Sequence, residues 1–425
     1  WWTVLTGGML ALWAAGYQAY GFSALFKLIA SELGFSRAAT SIASSIGRLE
    51  GGIEGPLSGW ITDRFGPKWI VLFGVFLIGL SLMLMYFVNS MWAFLVVWGV
   101  ILGTGANIGT SVPVDAAISN WFVKKRGLAL GTKMVFSGLS GVVVLPLIAW
   151  LIITQGWRVT CLIGGVVMWV VGFPLAWFFL KSHRPEYYGL LPDGATVKEG
   201  AVEEGRMVDR GIKYAAEVRE VEFTLRQAMR TPSYWLLIIA NAVHGLAMPV
   251  MNIHTIPFLT DIGIDPVKAA SVMSIYVGVS IPFRFIGGLF VDRIRIERLR
   301  FIVGGAYLLQ AGGFAAFLLN PTMTMIYIWF VLYGIGMGLG FVMSPMRGRY
   351  FGRKAFGSIQ GTSMMFGTPV GVLAPIYAGW VYDTTGSYTT AFTVVAGLLG
   401  ASAVLMALAF PPKPPAQITD VRKIV

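Results

Sequence analysis

Ionisable side chains inside long apolar runs are the residues of this sequence best suited to chemistry. Arg284 lies eight residues before Asp292 in one such run, about 12 Å from the end of a helix that rises 1.5 Å per residue. A charge at that depth in a bilayer costs several kcal/mol unless it is paired or hydrated. A guanidinium binds a carboxylate through two parallel hydrogen bonds. We therefore predict that Arg284 anchors an anionic substrate; neutralisation by a buried carboxylate for structural reasons alone is the alternative.

A second charged group lies in an earlier apolar run. Glu50 and Glu54 are four residues apart, which puts them on one face of a helix, and Arg48 lies close by in sequence. Burial favours a carboxyl group that accepts a proton near neutral pH. We predict that these residues couple proton movement to transport, with Arg48 adjusting the carboxyl groups. A static ion-pair cluster is the alternative.

Other polar residues occur at mid-helix depth. His254 could serve proton coupling because histidine titrates near neutral pH, or could be a hydrogen-bonded packing residue. Lys133 and Lys27 are either additional positive elements for the anion or side chains that extend to the membrane surface. The remaining candidates for hydrogen bonds to the substrate are Asn107, Asn252, Tyr17, Tyr20 and Tyr333.

Cofactor and enzyme motifs do not occur in the sequence. We find no metal-ligand spacing, no nucleotide-binding loop and no serine-nucleophile motif. We expect no cofactor, no bound metal and no enzymatic activity.

These residues must be positioned by helices in a membrane. Of the 425 residues 56% are hydrophobic and 12% are charged, against about 25% charged in soluble domains. An ordinary soluble enzyme is therefore excluded, and the net charge of +12 is not taken as a sign of nucleic-acid binding. The single cysteine, Cys161, is assigned to packing. The first apolar stretch is long enough to span a bilayer and lacks a basic flank, so we expect it to be retained.

Twelve apolar runs of about 20 or more residues predict twelve transmembrane helices. The fold class is thus an all-α membrane protein with two pseudo-symmetric six-helix bundles. The runs are 3–30, 38–62, 69–88, 91–118, 127–153, 158–180, 234–259, 267–291, 300–319, 323–345, 356–381 and 388–410. The predicted divisions are an N-terminal bundle at 1–181, a cytoplasmic linker at 182–232, a C-terminal bundle at 233–411 and a cytoplasmic tail at 412–425.

The distribution of basic residues predicts the orientation. Even-numbered loops and the tail hold 25 of the 32 Lys and Arg residues. The odd-numbered loops hold only Arg37, Arg158 and Lys268. By the positive-inside rule both termini and the linker are cytoplasmic. We expect a multi-pass protein of the plasma membrane, specifically a bacterial inner membrane.

The two halves repeat each other. The pattern Gly59-x-x-x-Asp63-Arg64 recurs as Gly288-x-x-x-Asp292-Arg293, an offset of 229, and an offset of 230 relates Gly131 to Gly361. Repeated six-helix units in transporters place the substrate near the bilayer midplane, between the repeats.

The loop that begins at Gly59 carries a family resemblance. Residues 59–68, Gly-Trp-Ile-Thr-Asp-Arg-Phe-Gly-Pro-Lys, resemble the signature between helices 2 and 3 of the major facilitator superfamily. With the twelve spans and the central linker, the resemblance covers essentially the whole chain. Residues 20–37, 120–129 and 156–158 resemble the branch of monocarboxylate porters and oxalate/formate antiporters.

This resemblance implies roles for individual residues. In that branch an arginine at the place of Arg284 holds the substrate carboxylate, and animal porters carry an aspartate one turn earlier, where this chain has Ser280. Oxalate carriers have a helix 11 lysine, which is missing at 364–367 here. Asp63 is expected to cap a helix N-terminus and Arg64 to reach Asp115, as in the superfamily's inner gate. Asp292 and Arg293 are the equivalent gating residues of the second half.

We therefore predict a secondary transporter of a small monocarboxylate such as lactate or pyruvate, coupled to protons by symport and working by alternating access. Its partners are the organic anion, protons and the lipid bilayer, with no nucleic acid, and we expect a monomer. The alternatives are an organic-anion exchanger of the oxalate/formate type, a sugar or drug carrier, and a membrane metabolite sensor that does not transport.

Overall fold

A computed structural model describes residues 1–22, 25, 28, 29, 32, 37–195 and 221–414. Within these ranges the regular elements are all helices. The twelve transmembrane helices are numbered α1 to α12. Their bounds are α1, Trp2–Ala15 with a π-helical end at Gly16–Gly21; α2, Arg37–Phe65; α3, Pro67–Leu84; α4, Met91–Phe94 continuing to Val112–Trp121; α5 and α6, Arg126–Val167 continuing to Phe173–Phe179; α7, Pro232–Gly245 and Ala247–Asp261; α8, Pro266–Arg293; α9, Leu299–Leu319; α10, Met323–Gly340 and Met343–Phe351; α11, Phe356–Thr385; and α12, Thr389–Leu408.

Local sequence explains where several helices begin and end. The hydroxyls of Ser90, Thr231 and Thr322 each accept a hydrogen bond from a backbone amide of the first turn of α4, α7 and α10. Gly156, with φ of 80°, separates α5 from α6 because its left-handed backbone cannot continue a helix.

Nine segments in the described part of the chain are long and apolar enough to cross a membrane. One of them, Arg126–Phe179, contains both α5 and α6. With α1 and α2 they make the twelve helices that the sequence predicts. Helix α2 carries Arg48, Glu50 and Glu54.

Each half has its own hydrophobic core. Trp98, Tyr17 and Trp157 belong to the core of α1–α6. In α7–α12, Trp329 and Phe392 lie in one core cluster and Tyr350 in a second.

The two halves meet through two helix pairs that lack side chains at the contact. A Cβ added to Gly59 of α2 would overlap the carbonyl oxygen of Gly357 in α11, and a Cβ on Gly288 of α8 would overlap that of Gly127 in α5. The offsets of 229 and 230 relate the first contact to the second. Glycine permits backbones to approach this closely, which is the usual device for packing helices in membranes. The repeat in the sequence is therefore also a repeat in the interface.

Candidate substrate and proton site between the two bundles

Arg284 lies at the junction of α8, α5 and α10. Its side chain is 3% exposed, and its Nη1 donates a hydrogen bond to the carbonyl oxygen of Met134 at 3.0 Å. The guanidinium carbon lies 4.5 Å from the ring centroid of Phe341. A Cβ added to Gly138 would approach Nη1 to 2.9 Å, so the absence of a side chain there makes room for the guanidinium. Arg284 of the C-terminal half thus reaches into the N-terminal half.

Glu54 belongs to a polar cluster between α2 and α4. Its two carboxylate oxygens accept hydrogen bonds from Thr104 Oγ1 at 2.5 Å and Asn107 Nδ2 at 3.3 Å. Asn107 also donates to the carbonyl oxygen of Gly47 at 3.1 Å. Glu50 Oε2 is buried and has no hydrogen-bond partner among the described residues. The geometry therefore brings both carboxyl groups and Asn107 together at one level of the N-terminal half.

Three of the predicted substrate contacts lie inside one half of the molecule. Tyr17 is 1% exposed and its hydroxyl donates to the carbonyl oxygen of Thr160 at 3.0 Å, inside the N-terminal core. Tyr333 is also 1% exposed and lies among aromatic side chains of the C-terminal core. The Nε2 atom of His254 lies 2.9 Å from the carbonyl oxygen of Pro375, and its Nδ1 atom lies 3.3 Å from the Tyr388 hydroxyl. These three side chains therefore make their hydrogen bonds or ring contacts within one half. The sequence could not predict this, because helix periodicity does not distinguish the face toward the bundle core from the face toward the partner half.

Of the remaining predicted contacts, Asn252 is exposed and its Oδ1 accepts a hydrogen bond from the Tyr276 hydroxyl at 2.5 Å. The side chains of Tyr20 and Arg48, and all of Lys27, lie outside the described residues.

The two aspartates of the repeated signature cap helices of the opposite half. Asp63 accepts hydrogen bonds from the amides of Gly357 and Ser358 at 3.0 and 2.7 Å, at the start of α11. Asp292 accepts from the amides of Gly127 and Leu128 at 2.7 and 2.8 Å, at the start of α5. A carboxylate at a helix N-terminus satisfies free amides and interacts favourably with the helix dipole. We call the side of the molecule that carries these two caps the signature face; there the halves are joined.

The predicted contact between Arg64 and Asp115 is wrong. The Arg64 guanidinium stacks over Trp60 and Phe65, with its central carbon 5.3 and 5.5 Å from their ring centroids. Asp115 instead pairs with Lys133, whose Nζ lies 2.9 Å from Asp115 Oδ1. Lys133 therefore does not extend to the membrane surface.

Asp115 also bonds to the C-terminal half. Gln360 Nε2 donates to Asp115 Oδ2 at 2.8 Å, and the Ser344 hydroxyl lies 3.4 Å from the same oxygen. Sequence reasoning missed Gln360 and Ser344. The offset of 229 that relates Asp115 to Ser344 was the one signal that could have linked them.

The central linker contacts both halves at the signature face. Asp193 accepts hydrogen bonds from the amides of Lys124 and Lys125, in the loop before α5, at 2.9 and 3.0 Å. Glu186 and Arg353 form a buried ion pair at 3.2 Å, with side chains 8% and 3% exposed. Arg353 also donates to the carbonyl oxygen of Asn120 in α4. Basic residues that the sequence assigns to loops are thus partly buried. Arg293, the other predicted gating residue, is exposed at the end of α8.

The opposite face carries a smaller polar contact. Trp157 and Arg158, at the start of α6, donate hydrogen bonds to Glu32, and Arg158 also donates to Asn89 Oδ1 at 3.1 Å. The hydrogen bonds from Arg158 and Trp157 lower the pKa of the Glu32 carboxyl group.

Paired six-helix halves, related by a sequence repeat and with ionisable groups where they meet, define the class of secondary transporters. The chain belongs to the Major Facilitator Superfamily, whose family model matches residues 8–348. The resemblance noted in the signature loop is thereby confirmed, and with it the twelve-helix fold and a multi-pass protein of a transporter family.

Relatives and solved structures agree with this assignment. Monocarboxylate transporter 12-B of Danio rerio is 26% identical over 83% of this chain and 74% of its own length. A probable sulfoacetate transporter of Cupriavidus necator is 24% identical over 82% of this chain and 79% of its length, and the oxalate:formate antiporter of Oxalobacter formigenes is 24% identical over 68% of this chain and 61% of its length. Among structures, the proton:xylose symporter XylE has a TM-score of 0.73 at 12% identity, covering 97% of this chain and 95% of its own. The E. coli fucose:proton symporter has a TM-score of 0.68 at 14% identity, covering 96% and 98%.

Proposed function

We propose that the protein transports a small monocarboxylate, of the lactate or pyruvate type, together with a proton. The observation that carries this proposal is the buried guanidinium of Arg284 at the junction of the two halves. A group in that position reaches the substrate between the bundles, and its fork of donors suits one carboxylate.

The relatives support an organic anion as the substrate. Their names specify monocarboxylates, sulfoacetate, and oxalate with formate. All of these are anions at neutral pH. A neutral sugar can accept hydrogen bonds from an arginine but does not offset its buried charge, which favours an anion over a sugar.

Charge pairing favours a monocarboxylate over a dicarboxylate. A dicarboxylate needs a second cation at the site, and Lys133 was one candidate for it. The ion pair of Lys133 with Asp115 neutralises that charge, and residues 364–367 of α11 contain no cation. The side chain of Arg48, the other candidate, lies outside the described residues.

Proton coupling is assigned to Glu50 and Glu54. Two carboxyl groups on one helix face, one of them with a buried oxygen that lacks a hydrogen-bond partner among the described residues, repel each other when both are ionised. A proton relieves that repulsion, and protonation of a buried carboxyl group also lowers the cost of moving it past apolar surface.

The caps on the signature face support alternating access. The bonds from Asp63 to α11 and from Asp292 to α5 hold the halves together there and must break before that face opens. We assign this face to the cytoplasm on the distribution of basic residues, with bundles at 1–181 and 233–411, and we propose that the monomer is the transporting unit.

Exchange of two organic anions is the second candidate, supported by the similarity to the oxalate:formate antiporter. Uptake into proteoliposomes separates the two. A symporter accumulates labelled lactate or pyruvate when an inward proton gradient is imposed, whereas an exchanger needs a trapped counter-anion and not the gradient. Saturable binding without uptake would identify a sensor instead.

A further inference from the structure

Three buried donor atoms in the C-terminal half have no acceptor among the described residues. They are Nε and Nη2 of Arg347 and the hydroxyl of Tyr307. The hydroxyl of Tyr234, buried in the same core cluster as Tyr307, interacts with the Thr362 side chain. The side chain of Arg347 is 7% exposed and both tyrosines are 1% exposed or less. An unsatisfied buried donor costs about 1–3 kcal/mol. A group of them therefore indicates a place built for an acceptor that the chain itself does not supply.

The three residues lie close together. Tyr234 and Tyr307 belong to one core cluster with Met346, the neighbour of Arg347 in α10. The buried guanidinium of Arg347 interacts electrostatically with both hydroxyls and with the carboxylate of Asp115. Asp115 already pairs with Lys133. The buried guanidinium of Arg126 lies against Gly348, next to Arg347. Cations therefore outnumber the carboxylate of Asp115 in this part of the interior, so an anion is the acceptor that matches the donors.

Helix α10 connects this group to the anchor. Phe341, which lies under the Arg284 guanidinium, Ser344, which faces Asp115, and Arg347 follow one another at intervals of three residues. The six residues from Phe341 to Arg347 span about 9 Å of helix, toward the signature face. Arg347 therefore lies beyond Arg284 on the path toward that face, and the bonds of Asp115 to Gln360 and Ser344 lie between them.

We propose that Arg347, Tyr234 and Tyr307 form a second carboxylate-binding station, which the transported anion occupies after it leaves Arg284 as the signature face opens. In the closed state Asp115 is a resident carboxylate that partly neutralises Arg347. Opening separates α4 from α10 and α11, so that Arg347 loses this carboxylate and binds the substrate instead. The station rests on the proposed function, because it takes the same substrate carboxylate as Arg284.

The test compares the two sides of the membrane. KM for labelled lactate is measured in intact cells, where substrate arrives from outside, and in inverted membrane vesicles, where it arrives at the signature face. For Arg347→Gln we expect the ratio of inside KM to outside KM to rise by at least about 10-fold, because charged hydrogen bonds to the carboxylate are lost. Tyr307→Phe removes only a hydroxyl and should shift the ratio in the same direction by less, about 3-fold.

Asp115→Asn gives the opposite expectation. Loss of the resident carboxylate leaves Arg347 available, so the inside KM should fall. The matched control is Gln360→Leu, which weakens the same contact between the halves without changing its charge. Asp115→Asn should lower the inside KM several-fold more than Gln360→Leu does, and the double variant Asp115→Asn with Arg347→Gln should lose that gain.

Four results would overturn the station. The first is an equal shift of the inside and outside KM values in Arg347→Gln or Tyr307→Phe, and the second is an equal effect of Asp115→Asn and Gln360→Leu on the inside KM. The third is a lowered inside KM that persists in the double variant. The fourth is an Arg347→Gln protein with unchanged KM on both sides, which would mean that water alone satisfies the donors. If Arg347→Gln fails to reach the membrane, Tyr307→Phe and Asp115→Asn carry the test. Arg284→Gln tests the proposed function on which the station rests. If Arg284→Gln does not impair uptake from either side, the role of Arg284 as anchor is refuted, and the second station with it.

Discussion

At the scale of single residues, the anchor role proposed for Arg284 depends on the geometry of its guanidinium and on the space in front of it. Arg284 is buried, bonds to α5 and stacks on Phe341. The two flanking features, a missing side chain at Gly138 and an aromatic ring beneath, fix the plane of the guanidinium. Charge alone would not achieve this, because a lysine is a point charge on a flexible stem.

Substitutions at Arg284 should therefore separate charge from geometry. We expect Arg284→Gln to raise KM for lactate by about 10- to 100-fold, the loss of a charged hydrogen bond, and Arg284→Lys to recover only part of it. Labelled uptake, normalised to the amount of protein in the membrane, measures both. Normal transport by Arg284→Gln would exclude it as the anchor.

Gly138 provides an independent test of the same geometry. A methyl group at 138 would lie 2.9 Å from Nη1 of Arg284 and displace the guanidinium without altering its charge. We expect Gly138→Ala to raise KM by about 10-fold. Gly305→Ala is the matched control, because no atom lies within 4 Å of the added carbon, and it should transport as the unaltered protein does. Equal behaviour of the two alanine variants would contradict the geometry.

The carboxyl groups of α2 carry the coupling prediction. Glu54→Gln keeps one acceptor oxygen for Thr104 or Asn107 and the size of the side chain, but it cannot take up and release a proton. We expect it, and Glu50→Gln, to abolish uphill uptake driven by a proton gradient while exchange at equal substrate concentrations continues. Intact uphill uptake in both variants would make this cluster structural.

At the scale of elements, the two halves are held together where helix N-termini of one half are capped by residues of the other. The N-termini of α5 and α11 are each capped by an aspartate of the other half, so closure of the signature face satisfies amides that opening exposes. The glycine contacts below the caps allow the helices to approach closely enough for these bonds to form.

Removal of a cap should favour the open signature face. Loss of an N-cap carboxylate costs about 1 kcal/mol, which shifts the equilibrium several-fold. We expect Asp63→Ala to increase maleimide labelling of a cysteine at Ser344, in a Cys161→Ala background, in inverted vesicles. Asp383→Ala, which removes an exposed carboxylate at the end of α11, is the control. Unchanged labelling in Asp63→Ala would show that the cap does not hold the face closed.

Much of this organisation could be predicted from the sequence, and there are physical reasons why the rest could not. Twelve spans and the repeat of Gly59 and Asp63 at Gly288 and Asp292 are local signals. The partners of Asp115 could not be predicted, because Lys133, Ser344 and Gln360 lie 18, 229 and 245 residues away on three helices. Tyr17, Tyr333 and His254 could be assigned a depth in the membrane but not a face of their helices, because periodicity does not distinguish the bundle core from the contact between the halves. Arg347 is one of the 25 basic residues that the prediction of orientation places in even-numbered loops or the tail, because a basic residue near a helix end is normally at the surface.

At the scale of the whole molecule, the linker and the two halves behave as one assembly at the signature face. The linker residue Glu186 pairs with Arg353 of the C-terminal half, which also bonds to α4. The linker is therefore part of the closed state and not only a tether. For the charged residues of the linker, as for those of the transmembrane helices, the position of each residue matters more than the net charge.

Two ion pairs of the linker give a matched stability test. Removing one partner of a buried pair leaves an uncompensated charge and costs about 3–5 kcal/mol, whereas an exposed pair contributes below about 1 kcal/mol. We expect Glu186→Gln, at the pair whose side chains are 8% and 3% exposed, to lower the unfolding temperature in detergent by several times more than Glu222→Gln, whose pair with Arg184 is 29% and 30% exposed. Equal shifts would show that the linker pair at Arg353 is not buried in the folded protein.

Uptake of labelled lactate, pyruvate and oxalate by proteoliposomes, with and without an inward proton gradient, tests the central claim most directly. The proposed symport predicts that lactate or pyruvate accumulates above its external concentration only with the gradient, and that oxalate neither accumulates nor competes strongly. Arg284→Gln should greatly slow the accumulation at substrate concentrations below the KM of the unaltered protein. Gradient-independent exchange of oxalate, or accumulation by Arg284→Gln equal to that of the unaltered protein, would contradict it.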